Sequence, residues 1–201
     1  MVQAAAVRGS FHSPQRFWLL MTSGLAGSGL LVAPTRSRRA TSASWLAIGA
    51  GLGAVGYGAT LTASRLVSRW EWGRRSLIHF RSCTASVPKP LAAALILPAA
   101  LGEEWFWREG VIVTLGQREP RRGRLLAQAT AGYALVQTAA LDPLPPAGAL
   151  LLGVVTGGLR LASGSVWPAL AAHLVFSELT LVAPGLATGE PGSVTSTGTE
   201  L

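Results

Sequence analysis

Long apolar runs alternate with short basic stretches along this chain. The runs cover residues 17–33, 44–63, 90–116, 125–141, 147–162 and 166–183. Each approaches the ~20 residues that a helix needs to cross the hydrocarbon of a bilayer. The pattern therefore predicts an all-α fold, a polytopic transmembrane helix bundle of about six spans. Arg16 and Pro34 bound the first run. A basic residue before an apolar stretch also opens signal peptides, but no small-x-small cleavage site follows and further spans do, so a retained helix is expected. The second run holds Gly49, Gly51, Gly53, Gly56 and Gly58. Such a run is costly in a soluble helix, whereas in a bilayer it lets helices approach closely. Pro98 predicts a kink in the third run, Asp142-Pro143-Leu144-Pro145-Pro146 stops the fourth, and Trp167-Pro168 anchors and opens the sixth.

These breaks divide the chain into a loose polar tail (1–15), two N-terminal helices (16–63) and a basic connection (64–89). A four-helix core (90–184) and a Gly/Ser/Thr/Pro-rich tail expected to be disordered (185–201) complete it. The connection carries Trp70, Trp72 and many arginines, and its start reads as an amphipathic segment lying at the membrane surface.

Composition supports the pattern. Of 201 residues 49% are hydrophobic and 13% charged, about half the charge of ordinary soluble domains. The net charge of +8 rests on arginine, with Lys89 the one lysine. Arg36-Ser37-Arg38-Arg39 and Arg121-Arg122-Gly123-Arg124 fall between apolar runs, where they face lipid headgroups. A soluble basic face with interleaved aromatics is lacking, so no nucleic-acid partner is expected. With six spans, eight basic residues lie on each side, and the positive-inside rule gives no orientation. The single cysteine, Cys83, precludes an intrachain disulfide.

Against this background the segment Glu103-Glu104-Trp105-Phe106-Trp107-Arg108 stands out. Charges at membrane depth cost several kcal/mol unless paired or hydrated, and they mark working sites. Helical spacing puts Glu104 and Arg108 one turn apart on one face, so that pair neutralises itself. Glu103 lies about 100° around the helix and has no partner within the motif. Later runs add Gln137, on the same face as Tyr133, and His173, on the same face as Ser177. Carboxylates, an amide, an imidazole and a hydroxyl at depth suit water activation, in which a carboxylate accepts the proton and a nearby group meets the oxyanion or the leaving amine. Adjacent glutamates titrate as a pair. The same Glu/His set suits a divalent metal such as zinc, although His173 alone is placed to offer an imidazole, which supplies a zinc site poorly. Taken singly, His173, Gln137 and Ser177 are ordinary polar contacts between helices, and their combination carries the argument.

That combination resembles a known family. Glu103-Glu104-x-x-x-Arg108 is followed by Gly153-x-x-x-Gly157-Gly158-Leu159-Arg160 and by Gly164-Ser165-Val166-Trp167-Pro168-Ala169-Leu170-x-x-His173. This order resembles the CPBP family, the Abi-type intramembrane proteases related to the CAAX prenyl endopeptidase, over roughly residues 91–180. The resemblance implies an intramembrane endopeptidase that hydrolyses peptide bonds of membrane-embedded or lipidated proteins or peptides in a multi-pass cell membrane. The bias to arginine, alanine and glycine suggests a GC-rich bacterium. Carried over, the resemblance makes Glu103 the base that activates water, Glu104 and Arg108 its support, and His173 the oxyanion group.

Two positions depart from the family pattern. Tyr133-x-x-x-Gln137 stands where Phe-x-x-x-His is expected, and His173-x-x-x-Ser177 where His-x-x-x-Asn is expected. Gln137 orients a water but accepts no proton at neutral pH, and Ser177 donates a hydrogen bond from a shorter side chain. The departures keep open a second reading, a weak or inactive pseudoprotease that serves as a membrane binding or immunity protein. A third reading, a proton-relay transporter, fits the polar residues but not the context of His173. The alignment of Gln137 with the family's histidine is testable: Gln137→His should raise peptide cleavage. An unchanged rate at normal expression would refute that alignment.

Overall fold

The computed structural model describes residues 1–13, 16–32 and 41–182. Among them the regular elements are all helical: α1 (Val2–His12), α2 (Phe17–Leu30), α3 (Ala43–Val67), α4 (Glu71–Thr84), α5 (Lys89–Glu104), a π-helical stretch (Trp105–Val111), α6 (Ile112–Gly116), α7 (Arg122–Gln137), α8 (Leu144–Ser163) and α9 (Trp167–Leu181). The expected all-α bundle is the observed fold.

Local chemistry sets the helix ends. Ser42 accepts a hydrogen bond from the Trp45 backbone N–H and opens α3. Prolines in the first turn open α5, α8 and α9, where a missing N–H costs nothing. Gly164 closes α8 with a left-handed φ of 71°. After α7 the chain turns through Leu141, at φ 56°, and Asp142. Asp142 accepts from the Leu144 backbone N–H at 2.9 Å and from the Ser76 hydroxyl at 2.6 Å, which ties this turn to α4. α5 is helical through Pro98, and π-helical bonding follows Glu104.

Contacts give the direction of each helix. Thr22 donates to the Leu95 carbonyl and Gly29 lies against Gly102, so α2 runs alongside α5 in the same sense. Gly49 faces Pro168 and Gly53 faces Ala172, so α3 and α9 are parallel too. α4 lies at 95° to the α5–α6 rod. It buries Gly73, Ser76 and Leu77 and exposes Trp72, Arg74, Arg75 and Ile78. Glu71 pairs with Arg74 and Arg75 on its exposed side.

About six crossings are expected from the apolar runs. Among the described residues, α3 (25 residues) and α8 (20 residues) are each long and apolar enough to cross a membrane, and the bent α4–α5–α6 pair raises the number to three. α2, at 14 residues, is apolar but shorter than such a span. The tail expected at 185–201 and Arg36, Arg38 and Arg39 lie outside the described residues.

One expectation is corrected. The N-terminal segment, read as loose and polar, is helical from Val2 to His12 and packs antiparallel against α2. Its Ala6 sits on Gly24, Val7 is fully buried, and Gln3 donates to Ser28 at 2.7 Å. A surface of small residues on α2 accommodates a helix whose own sequence is only weakly apolar.

The close approach of α3 to α9 yields a prediction. A β-carbon at Gly53 would stand 2.3 Å from the Ala172 carbonyl oxygen, whereas one at Gly51 would meet nothing within 4 Å. Gly53→Ala should therefore lower stability by about 1–3 kcal/mol through overpacking. Gly51→Ala should not lower it. Thermal unfolding of both variants in detergent reads the difference, and equal melting temperatures would contradict this packing.

Candidate functional site

The polar residues singled out in the sequence converge on one point inside the bundle. Glu103 and Glu104 end α5, Arg108 lies in the π-helical stretch, Tyr133 and Gln137 come from α7, and His173 and Ser177 from α9. Glu103, Glu104, Arg108, Gln137 and His173 are all buried, with Glu104 and Arg108 at 1% and 2% exposure. Charges withdrawn from solvent to this degree are tolerated only when each has a partner.

The two carboxylates are held differently. Glu104 Oε2 stands 3.1 Å from Arg108 Nε, the pairing that helical spacing predicts. Glu104 Oε1 accepts from His173 Nδ1 at 2.8 Å. A carboxylate acceptor places the imidazole proton on Nδ1 and turns Nε2 toward Glu103 Oε2, 3.6 Å away. Glu103, without a partner in its own motif, gains two from α7. The Tyr133 hydroxyl donates to Oε2 at 3.1 Å and the Gln137 amide donates to Oε1 at 3.4 Å. The Arg108 guanidinium also lies over the Tyr133 ring, 5.2 Å from its centroid, so the two carboxylate networks share a wall.

Two contributors were not apparent in the sequence. Thr156, fully buried on α8, accepts from Arg108 Nε at 2.9 Å and from Nη2, and donates to the Leu152 carbonyl at 2.8 Å. Gln3 accepts from the Trp107 indole at 2.8 Å, and Trp107 packs on Tyr133 at 5.5 Å. The Tyr133–Gln137 spacing signalled a shared face, whereas a lone threonine in an apolar helix carries no such signal. One turn beyond Thr156, Arg160 pairs with Glu109 at 2.9 Å, so α8 grips two successive residues of the π-helical stretch. π-helical turns often accompany functional sites.

A cavity of about 400 Å³ reaches this cluster. Glu103, Tyr133, Gln137, His173 and Ser177 form its polar end, and apolar side chains such as Leu77, Leu144, Leu152 and Phe176 form most of the rest. Among the described residues lining it, Glu103 is the one carboxylate, and no lysine or arginine is present. A smaller space of about 70 Å³ touches Glu103, His173 and Ser177 from the side of α2. As for metal, the described residues hold no group of three or more His, Cys, Asp or Glu arranged to bind an ion. Both His173 nitrogens already face carboxylates. The cluster does not fit a zinc site.

This geometry defines a helical membrane protein with a carboxylate–imidazole centre at the end of an apolar cavity. Residues 86–177 match the family described as type II CAAX prenyl endopeptidase, Rce1-like, and the motifs singled out in the sequence fall within that match. The matched segment contains the Glu-Glu pair, Arg108, Gln137, Thr156, His173 and Ser177. No curated protein and no solved structure matches the chain.

Arg108→Ala would leave the Glu104 charge buried with His173 alone. We expect a loss of about 3–5 kcal/mol of stability and a fall in membrane yield. Adding Glu104→Gln to that variant should recover part of the loss, because the unpaired charge is removed. Unfolding of the two variants in detergent measures the coupling, and additive losses would contradict the ion pair.

Proposed function

We propose that this protein is a multi-pass intramembrane endopeptidase of a bacterial plasma membrane, cleaving peptide bonds in membrane-embedded or lipidated proteins or peptides. The observation that carries this reading is the facing of Glu103 Oε2 and His173 Nε2, 3.6 Å apart, at the polar end of an apolar cavity. A separation above 3.5 Å invites a bridging water, and one on the cavity side would reach both groups.

In the proposed reaction Glu103 accepts a proton from that water as its oxygen attacks the scissile carbonyl carbon. The C–O bond forms as the carbonyl opens to a tetrahedral oxyanion, the proton moves from Glu103 to His173 Nε2, and collapse of the intermediate then delivers it to the departing nitrogen as the C–N bond breaks. His173, once protonated, stabilises the developing oxyanion, assisted by the Ser177 hydroxyl and the second amide hydrogen of Gln137. Glu104 accepts the Nδ1 hydrogen bond and fixes which imidazole nitrogen faces the water. Arg108 balances the charge of Glu104. Tyr133 and Gln137 orient Glu103 through their hydrogen bonds.

The cavity supports a substrate that is apolar and uncharged beside the scissile bond. Its wall offers no cation to a carboxylate, and its volume lies in the range of small-ligand pockets, ~300–1,000 Å³. The family name points to prenylated proteins, which present such a chain at the membrane.

The alternative, a pseudoprotease that binds without cutting, draws on Gln137. An amide occupies a position from which an imidazole would share proton traffic, and here it donates to Glu103 instead. The two readings separate in one experiment. Membrane-peptide termini from cells expressing wild-type protein are compared by mass spectrometry with those from cells expressing Glu103→Gln at matched level. The protease reading expects new termini that disappear in the variant, with purified activity reduced by roughly 10²–10⁴. Identical termini would refute it in favour of binding alone.

A further inference from the structure

The buried hydrogen bonds continue past the reacting groups, from α9 through the π-helical stretch into α8. His173 Nδ1 donates to Glu104 Oε1 at 2.8 Å, and Glu104 Oε2 stands 3.1 Å from Arg108 Nε. Arg108 Nε donates to Thr156 Oγ1 at 2.9 Å, and Thr156 Oγ1 donates to the Leu152 carbonyl at 2.8 Å. A guanidinium Nε carries one hydrogen. Here that hydrogen goes to Thr156, and Glu104 Oε2 makes no hydrogen bond at all, so the Glu104–Arg108 contact is charge on charge.

We propose that Thr156 is a positioning residue for His173, acting through Arg108 and Glu104 by drawing the Arg108 Nε–H away from Glu104. The Thr156 hydroxyl spends its own proton on the α8 backbone, so its oxygen lone pairs are directed at Arg108. With the hydroxyl absent, the Nε–H turns to the nearest buried acceptor, which is Glu104 Oε2. A carboxylate that accepts from the guanidinium shares its negative charge and is drawn along the helix toward Arg108. Its hydrogen bond to His173 Nδ1 weakens, and Nε2 loses its aim at Glu103. Thr156 does not itself line the cavity and meets the lining residue Leu152 through its backbone carbonyl, so removing the hydroxyl alters the orientation of the site without removing a side chain from its walls.

The inference rests on the proteolytic reading for its effect on rate, but the orientation of the imidazole is measurable without any substrate. Protein labelled with 15N-histidine is reconstituted in detergent, and the His173 Nδ1 resonance is assigned by its loss in His173→Gln. Thr156→Val, which preserves shape and removes the hydroxyl, should move that resonance away from its hydrogen-bonded position. Thr156→Ser, which keeps the hydroxyl, should restore it. On the substrate identified by Glu103-dependent termini, Thr156→Val should lower kcat on the order of a hundredfold through misplacement of the site, with KM unchanged. Should the valine variant fail to accumulate, Thr156→Cys, whose sulfur is a weak acceptor, should show a smaller displacement of the same resonance. A wild-type Nδ1 resonance in Thr156→Val, or in Thr156→Cys where that variant stands in, would overturn the proposal whether or not the protein cuts peptides. A displaced resonance with no cleavage by the wild-type protein would uphold the positioning role and refute the proteolytic reading.

Discussion

A guanidinium sealed inside an apolar bundle constrains everything around it. Arg108 is 2% exposed, and taking such an ion out of water costs several kcal/mol even after relaxation. Three elements meet that cost. Glu104 supplies the opposite charge, Thr156 accepts the guanidinium hydrogens, and the Tyr133 ring offers its face. α5, α7 and α8 are therefore fixed relative to one another by a single side chain, and α9 joins them through the bond of His173 to Glu104. Arg108 takes no direct part in the proposed hydrolysis, yet it sets where all the participants stand.

The pair of carboxylates gains distinct roles from this arrangement. Two adjacent glutamates on a regular helix point about 100° apart and so meet different neighbours. Glu104 faces the cation and the imidazole, while Glu103 faces two neutral donors and the cavity. In the proposed reaction, identical chemical groups become support and reactant by environment alone, in the way that paired carboxylates are separated in other hydrolytic sites. The π-helical stretch directly after the pair brings Arg108 and Glu109 to consecutive partners on α8.

Some of this was legible in the sequence and some was not, for physical reasons. Helical period places residues four apart on one face, which is why the Glu104–Arg108 pair and the shared faces of Tyr133 with Gln137 and of His173 with Ser177 were readable from spacing. Apolar runs gave most of the helices, since a bilayer demands long runs free of charge. α1 escaped notice because its stability comes from contact with Gly24 and Ser28 on α2 and not from its own composition. Thr156 escaped for a related reason. Threonine commonly bonds back to a carbonyl one turn earlier, as it does here to Leu152, and nothing local reveals that its lone pairs also serve Arg108. The π-helical bonding after Glu104 has no marker in the run Trp105-Phe106-Trp107.

Glycine packing bears on the chemistry through its placement. Gly102 precedes Glu103 and presses on the backbone of α2, where a β-carbon would stand 2.2 Å from the Leu25 carbonyl oxygen. Ala172 precedes His173 and receives Gly53 of α3 at comparable closeness. Glu103 and His173 thus each follow a point where two helix backbones touch. Packed interiors resist displacement far better than loops do, because any shift opens a void or forces a clash. In the proposed reaction Gln137 carries no proton, so transfer is left to Glu103 and His173, which arise from different helices and have no covalent tie to hold them at 3.6 Å. The backbone contacts beside Gly102 and Ala172 provide that constraint. On this view the small residues that read in sequence as generic membrane packing are part of what sets the distance between the Glu103 carboxylate and the His173 imidazole.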